Sequence, residues 1–295
     1  MAIVAVIGGS GRMGAWFANF LSKNRYEVII SDKRTSPARA FAKKNRFRYV
    51  ESPFTAAKLS QIVLLATPTA VTKTLLGAVT SHALRTKLIV EISSVKQPVA
   101  KTIQSLARSG YQIMSIHPMF GAGTRSLAGK SIIVAHMPRN SAPARRILSA
   151  LARNGARIIH TSLNGHDRLM ATTLALPHLM NFAFVETLRE AGIPLDKIRE
   201  LGGTTLKLQL LIAEALYDES YENEASILLD NKHNTKVFES FVQQINKVQG
   251  TIQRRTRVEL LRRLQADAAY AQKDKLFRTT HERFVAAVDA SSSGE

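Results

Sequence analysis

Ile3-Val4-Ala5-Val6-Ile7-Gly8-Gly9-Ser10-Gly11-Arg12-Met13-Gly14 opens the chain, and Tyr26-Glu27-Val28-Ile29-Ile30-Ser31-Asp32-Lys33-Arg34 follows it. A continuous, largely β-branched apolar run is what a parallel strand buried on both faces requires. It leads straight into glycines. Gly9 permits a tight turn, Gly11 lets backbone approach a pyrophosphate, and Gly14 lets the next helix pack closely on the strand. The spacing therefore predicts a strand, a dinucleotide-binding turn (Gly9, Ser10, Gly11, Arg12, Met13, Gly14) and a helix. A second strand over 26–30 ends at Asp32, placed to accept hydrogen bonds from a ribose 2′-hydroxyl and to repel a 2′-phosphate, which favours NAD. Lys33 and Arg34 beside it would attract that phosphate, so NADP stays open. The competing reading is a glycine-rich turn that serves the fold and holds no ligand.

Working outward, apolar runs recur at 48–50, 62–66, 88–92, 112–116, 131–134 and 157–159, with helical segments filling most of the gaps. Such alternation predicts a doubly wound sheet, whose ligands lie beyond the carboxyl ends of the strands. Thr67-Pro68, Ser93-Ser94-Val95-Lys96 and His117-Pro118 fall at those ends, and Thr67 and Pro68 join the cofactor-binding set. A helix is expected from Pro143 to Asn154. From Ser162 the spacing turns helical, over 169–188, 198–216, 222–248 and 258–288. The expected fold class is α/β: an N-terminal Rossmann-type doubly wound sheet over 1–161, an all-helical domain over 162–290, and a disordered tail over 291–295.

Composition narrows the chemistry. With no cysteine in 295 residues, disulfides, thiolate nucleophiles and Cys-ligated metals are excluded. The histidines at 82, 136, 160, 166, 233 and 281 lack metal-ligand spacing, so no metal site is expected. No apolar stretch is long enough to span a bilayer and no secretory pattern precedes the first strand, so a cytoplasmic protein is expected. The net charge of +19 favours anionic partners. The basic residues are spread along the chain, and their densest run, Arg254-Arg255 to Arg262-Arg263, has no interleaved aromatics. That reads as a solvated helix face and argues against nucleic acid as a partner. A non-catalytic dinucleotide-binding regulator that contacts nucleic acid is the distant alternative.

His117 stands at a strand end near the nicotinamide end of such a cofactor. An imidazole can take a proton from a hydroxyl while hydride leaves the same carbon. Ser94 could hydrogen-bond that imidazole or the substrate oxygen, or simply cap the helical segment that follows. Lys96 would support the loop or an anionic group. His178, amid apolar neighbours, reads alone as a core histidine, and His166-Asp167 reads as a helix start.

Together, Gly8 to Gly14, Ser93-Ser94-Val95-Lys96, His117-Pro118-Met119-Phe120-Gly121, Gly165-His166-Asp167-Arg168-Leu169-Met170 and Leu176-Pro177-His178 resemble the prephenate dehydrogenase family of tyrosine biosynthesis, which includes arogenate dehydrogenases. The resemblance covers residues 1 to 250. It implies NAD-dependent oxidative decarboxylation of prephenate to 4-hydroxyphenylpyruvate, with His117 accepting the 4-hydroxyl proton, Ser94 orienting it and His178 helping to hold the substrate. It also implies a homodimer through the helical domain. One departure stands out: the arginine that many members place after the joint equivalent to Gly202-Gly203 falls here on Ala215, beside Glu214. Lys207 or Arg125 are the candidate replacements. Arogenate, whose amino group lessens the need for cationic partners, is the alternative substrate.

Overall fold

The structure, a computed structural model, describes residues 1–78, 84–217 and 220–292. His82 lies outside them. By spatial contact the chain divides into two compact units, Met1–Met170 with Ala225–Lys232, and Ala171–Glu224 with His233–Glu295. The division thus falls later than 161/162 and returns a short stretch to the first unit.

The first unit is built on a sheet in the order β3-β2-β1-β4-β5-β6-β7-β8. Its strands are β1 (Ile3–Ile7), β2 (Glu27–Ser31), β3 (Arg48–Tyr49), β4 (Ile62–Leu65), β5 (Leu88–Glu91), β6 (Gln112–Pro118), β7 (Ser131–His136) and β8 (Arg157–His160). All neighbouring pairs are parallel except β6 with β7. Helices α1 (Arg12–Lys23), α2 (Thr35–Asn45), α3 (Pro53–Lys58), α4 (Thr69–Ala78), α5 (Gln97–Arg108), α6 (Ala142–Arg153) and α7 (Leu163–Met170) complete it.

Alternate strand residues feed two separate cores. Val4, Val6, Val28, Ile30 and Leu64 pack with Phe17 and Leu21 of α1 and Ile147 and Leu151 of α6. Ala5, Ile7, Ile29, Val63 and Leu65 pack with Ala56 of α3, Leu76 of α4 and Ile103 of α5. Helices therefore cover both faces, which is why the strands are apolar without alternation. Each fully buried Val, Ile or Leu contributes roughly 1.5–3 kcal/mol of transfer free energy.

In the second unit α8 (Leu176–Glu190), preceded by a π-helical turn at Ala171–Ala175, is followed by α9 (Leu195–Leu201) and α10 (Thr204–Tyr217). Then come α11 (Tyr221–Leu229), which straddles the division, α12 (Asn234–Gln253), α13 (Arg257–Ala271) and α14 (Thr280–Ser292). Three expected helices are broken. Gly202 is extended, and a Cβ there would meet Leu206 Cδ2 at 2.5 Å, so 198–216 divides into α9 and α10. Ser226 Oγ donates to Asp230 Oδ2 at 2.6 Å and Asn231 turns to Asp167 O at 2.7 Å, side-chain bonds that compete with helix and end α11. The run over 258–288 is interrupted between α13 and α14, where Leu276 N bonds Asp274 Oδ1 at 3.0 Å. Of the tail expected over 291–295, Ser291 and Ser292 instead close α14, and 293–295 lie outside the described residues. Among the described residues no helix is long and apolar enough to cross a membrane.

Candidate active site

The glycine turn is built where expected: a Cβ at Gly9 would lie 2.8 Å from Val6 O, and a further demand falls on the glycine before it. Gly8, with φ +78°, is the position that needs left-handed backbone, and a Cβ there would lie 2.4 Å from Ala66 O. Gly14 brings α1 onto the turn so closely that a Cβ would meet Gly8 O at 2.1 Å. No side chain caps α1 at Gly11, and the amino end of such a helix suits a pyrophosphate.

Asp32, buried at the end of β2, accepts from Ser10 Oγ at 2.7 Å, Ser10 N at 3.1 Å and Arg34 N at 3.0 Å. Burial works to raise its pKa, but the hydrogen bonds from Arg34 and Ser10, with the Arg34 charge, outweigh it and lower the pKa. Arg34 Nη2 lies 3.3 Å from Ser10 Oγ, while Lys33 is exposed. Thr67 Oγ1 is paired with Thr72 Oγ1 at 2.8 Å, and Pro68 begins the turn into α4. Arg12 and Met13 form the first turn of α1.

Because β1, β4, β5 and β6 run parallel, their carboxyl ends bring this turn, Thr67, the 93–96 loop and His117 to one edge of the sheet. His117 lies inside β6 rather than past it: the strand outruns β5 and continues against β7, pairing His117 with Ile133. The antiparallel β6–β7 ladder carries a register shift at Ser115/Ile116.

At that bulge sits a fully buried ion pair, Lys96 Nζ to Glu91 Oε1 at 2.8 Å, both side chains at 0% exposure. Lys96 Nζ also donates to Ile116 O at 2.7 Å, Ser115 Oγ donates to Glu91 Oε1, and Ser93 N donates to Glu91 Oε2 at 2.8 Å. The cluster is well satisfied, as a buried charge pair must be. Lys96 thus braces the loop against β6. Ser94 is half-buried and makes no hydrogen bond to His117; the hydroxyl left buried and unpaired beside it is that of Ser93.

The partner of His117 is another histidine. His117 Nδ1 is 2.9 Å from His166 Nε2, and His166 Nδ1 is 2.8 Å from Asp167 Oδ1. Asp167 also accepts from Lys96 N at 2.9 Å and Gln97 N at 2.6 Å, so its carboxylate caps α5. His166 and Asp167 lie within α7, not at its start. Burial pushes both imidazoles down; for His117 the neighbouring His166 and Lys96 push the same way, leaving it well below the ordinary 6.5. With both rings neutral, the tautomers follow: His166 gives its Nδ1 proton to Asp167, His117 gives its Nδ1 proton to His166, and His117 Nε2 keeps a lone pair. Sequence reasoning missed His166, Asp167 and Glu91 as a connected set. The adjacent His166-Asp167 pair was the available signal.

His178 is not a core residue. Its side chain is 14% exposed and its Nδ1 lies 2.5 Å from Glu224 Oε2, a partner that sequence reasoning did not name. Lys207 is half-buried on α10, and Ala215 is exposed; Arg199 of α9 grips Glu214 beside it through both carboxylate oxygens. Arg125 lines a cavity of about 610 Å³ with Arg12, Trp16 and Lys23.

A mainly parallel sheet with this glycine turn, followed by a run of helices, defines a two-part nucleotide-binding chain. Residues 17–159 match the prephenate dehydrogenase nucleotide-binding domain and residues 162–266 the prephenate dehydrogenase dimerization domain, so the chain belongs to the prephenate dehydrogenase family. A relative from Methanocaldococcus jannaschii named "Probable arogenate/prephenate dehydrogenase" is 24% identical over 86% of this chain and 57% of its own length. The "T-protein" of Haemophilus influenzae is 26% identical over 81% and 59%. The chain thus spans less than two thirds of the curated relatives it matches. Among solved structures, prephenate dehydrogenase from A. aeolicus, in complex with hydroxyphenyl propionate and NAD+, has the same fold, with a TM-score of 0.75, 19% identity, and coverage of 92% of this chain and 98% of that one.

Proposed function

We propose that this protein oxidises and decarboxylates prephenate to 4-hydroxyphenylpyruvate with NAD. The observation that carries the reading is the Asp167–His166–His117 relay, which leaves one imidazole nitrogen as a base on the sheet edge that holds the glycine turn. Names among the relatives, family membership and the Asp32 carboxylate support the same reading. NAD, held by the glycine turn and Asp32, would supply the hydride acceptor for the ring carbinol carbon. His117 Nε2 takes the 4-hydroxyl proton, Ser94 orients that hydroxyl, and the resulting charge on His117 is shared with His166 and Asp167. The bond to the ring carboxylate then breaks, its electrons aromatise the ring, and CO2 leaves. His178, held by Glu224, binds the substrate, and Lys207 or Arg125 supplies a cation toward its carboxylates.

The neutralised Arg199–Glu214 pair beside Ala215 favours arogenate as the second reading, because it leaves no free guanidinium at that point. Assembly as a homodimer through the helical unit rests on the matched dimerization domain and on α12, where Val242, Ile245, Val248 and Ile252 form an exposed apolar stripe at helical spacing. Sedimentation should give twice the 32.5 kDa of one chain; a single-chain mass at micromolar concentration overturns it. For the activity, absorbance of reduced nicotinamide is followed with prephenate and arogenate, each with NAD and NADP. Prephenate with NAD should turn over fastest; silence in all four mixtures overturns the function.

A further inference from the structure

Four arginines that are scattered in the sequence converge on one cavity of about 650 Å³ in the first unit. Arg25 and Tyr26 line it from the connection between α1 and β2, and Arg145, Arg146, Ser149 and Arg153 from α6. No Asp or Glu lines it. Among the described residues none of the four guanidiniums has an ion-pair or side-chain hydrogen-bond partner. The cavity opens beside Ala2 and Tyr26, which precede β1 and β2, whereas the glycine turn follows β1. The five residues of β1, about 16 Å of strand, separate the two places.

We propose that this cavity binds a polyphosphate chain, at a site separate from the dinucleotide turn. Three observations fix the ligand class. Arg145, Ser149 and Arg153 recur every four residues, one above another on one face of α6, and Arg146 stands next to them. From Arg145 to Arg153 the helix rises about 12 Å, too far for one phosphate to touch both ends and suited to several linked ones. No carboxylate among the lining residues neutralises these cations, and each guanidinium fork matches two phosphate oxygens, so an extended polyanion can satisfy several forks together.

Tyr26 supplies a neutral donor among these cations. Burial raises its pKa, outweighing the opposing charges of Arg146 and Arg153, so the phenol keeps its proton. Arg25 holds the left-handed conformation, φ 65°, at the end of α1, where glycine is the usual occupant. A long cation is thereby kept at the cavity at a position that ordinarily has no side chain. The volume is that of a small-ligand site, and one aromatic ring is not a stacking platform for a nucleic-acid strand.

The test is calorimetric titration of the full chain, saturated with NAD so that the glycine turn is covered, with tripolyphosphate, ATP and orthophosphate at fixed ionic strength. One equivalent of tripolyphosphate should bind, at least tenfold tighter than orthophosphate, and at least tenfold weaker to R146E/R153E with an unchanged circular dichroism spectrum. Should that variant fail to fold, R145Q/R153Q is held to the same tenfold weakening. Equal affinity for ATP and tripolyphosphate identifies the inorganic chain as the ligand, and tighter ATP a nucleotide; both uphold the site. Hydrogen exchange should slow at 24–27 and 142–153 on binding. Protection confined to 8–14, undiminished affinity in the arginine variants, or displacement by an oligonucleotide whose affinity rises with length would each overturn the proposal.

Discussion

His117 and His178 hold the same side chain in opposite surroundings. His117, 5% exposed, is the end of a buried line running through His166 to Asp167, beside the Glu91–Lys96 pair. His178 has one carboxylate partner, Glu224, and both side chains reach water, at 14% and 18% exposure. In the first setting the proton's position is fixed by a chain of hydrogen bonds that solvent cannot replace. In the second, solvent competes with the partner and a single contact weighs less. Buried geometry is suited to setting a base, and a pair with an edge in water to holding a ligand.

The largest expected effect breaks the base and spares its surroundings. Asn in place of His117 still donates to His166 Nε2, so the relay stays satisfied while the lone pair is lost. H117N should lower turnover by about 10²- to 10⁴-fold with the NAD dissociation constant unchanged. Turnover within about threefold of the parent would remove His117 from the reaction.

The second effect is on stability. K96M leaves Glu91 buried without its cation, and breaking such a pair costs about 3–5 kcal/mol. K96M/E91L, which removes both charges, should recover most of the loss in urea denaturation. If the double variant is no better than the single one, the contribution of Lys96 lies in packing and its bond to Ile116 O rather than in the pair.

These expectations also mark what was readable. The glycine turn, the acidic Asp32 at the end of β2 and the run of parallel strands were legible because each depends on local spacing: a two-sided strand is apolar throughout, and a close helix approach demands glycine. That His117 stands at the carboxyl end of β6 was legible from the apolar run before it. The relay was not, because His166 follows His117 by 49 residues and only the packing of α7 and α5 beside β6 brings Asp167 to the 96–97 amides. The antiparallel entry of β7 was hidden for a similar reason: Ser131–His136 is as apolar as its parallel neighbours. The broken helices were misread because side-chain bonds by Asp230, Asn231 and Asp274 outcompete the helical period.

pH separates the two histidine settings further. His117 and His166 have folded pKa values below 6.5, so the unfolded chain binds more protons than the folded one as pH falls through 6.5. Their contribution to stability is fully present above 6.5 and is lost between 6.5 and the folded values. The acid limb of turnover should therefore fall below pH 6.5, and denaturation between pH 7.5 and 5.5 should show stability falling more steeply in the parent than in H117N. An acid limb above 6.5, or equal slopes, would contradict the buried relay.

The smallest effect belongs to the His178–Glu224 pair, whose side chains are 14% and 18% exposed. In E224Q the amide oxygen still accepts the Nδ1 proton of His178, but the carboxylate charge is gone. With both groups partly in water, the change in stability should stay within about 1 kcal/mol, against the several expected for K96M. If His178 holds substrate, its ring orientation matters more to binding than to the fold, so KM for prephenate should rise severalfold while turnover at saturation stays close to the parent. H178A, which removes the ring, should raise KM further. A drop in turnover without a rise in KM would instead place the His178–Glu224 pair among the groups that act on the reacting bonds, and the contrast between the two histidines would then lie in burial alone.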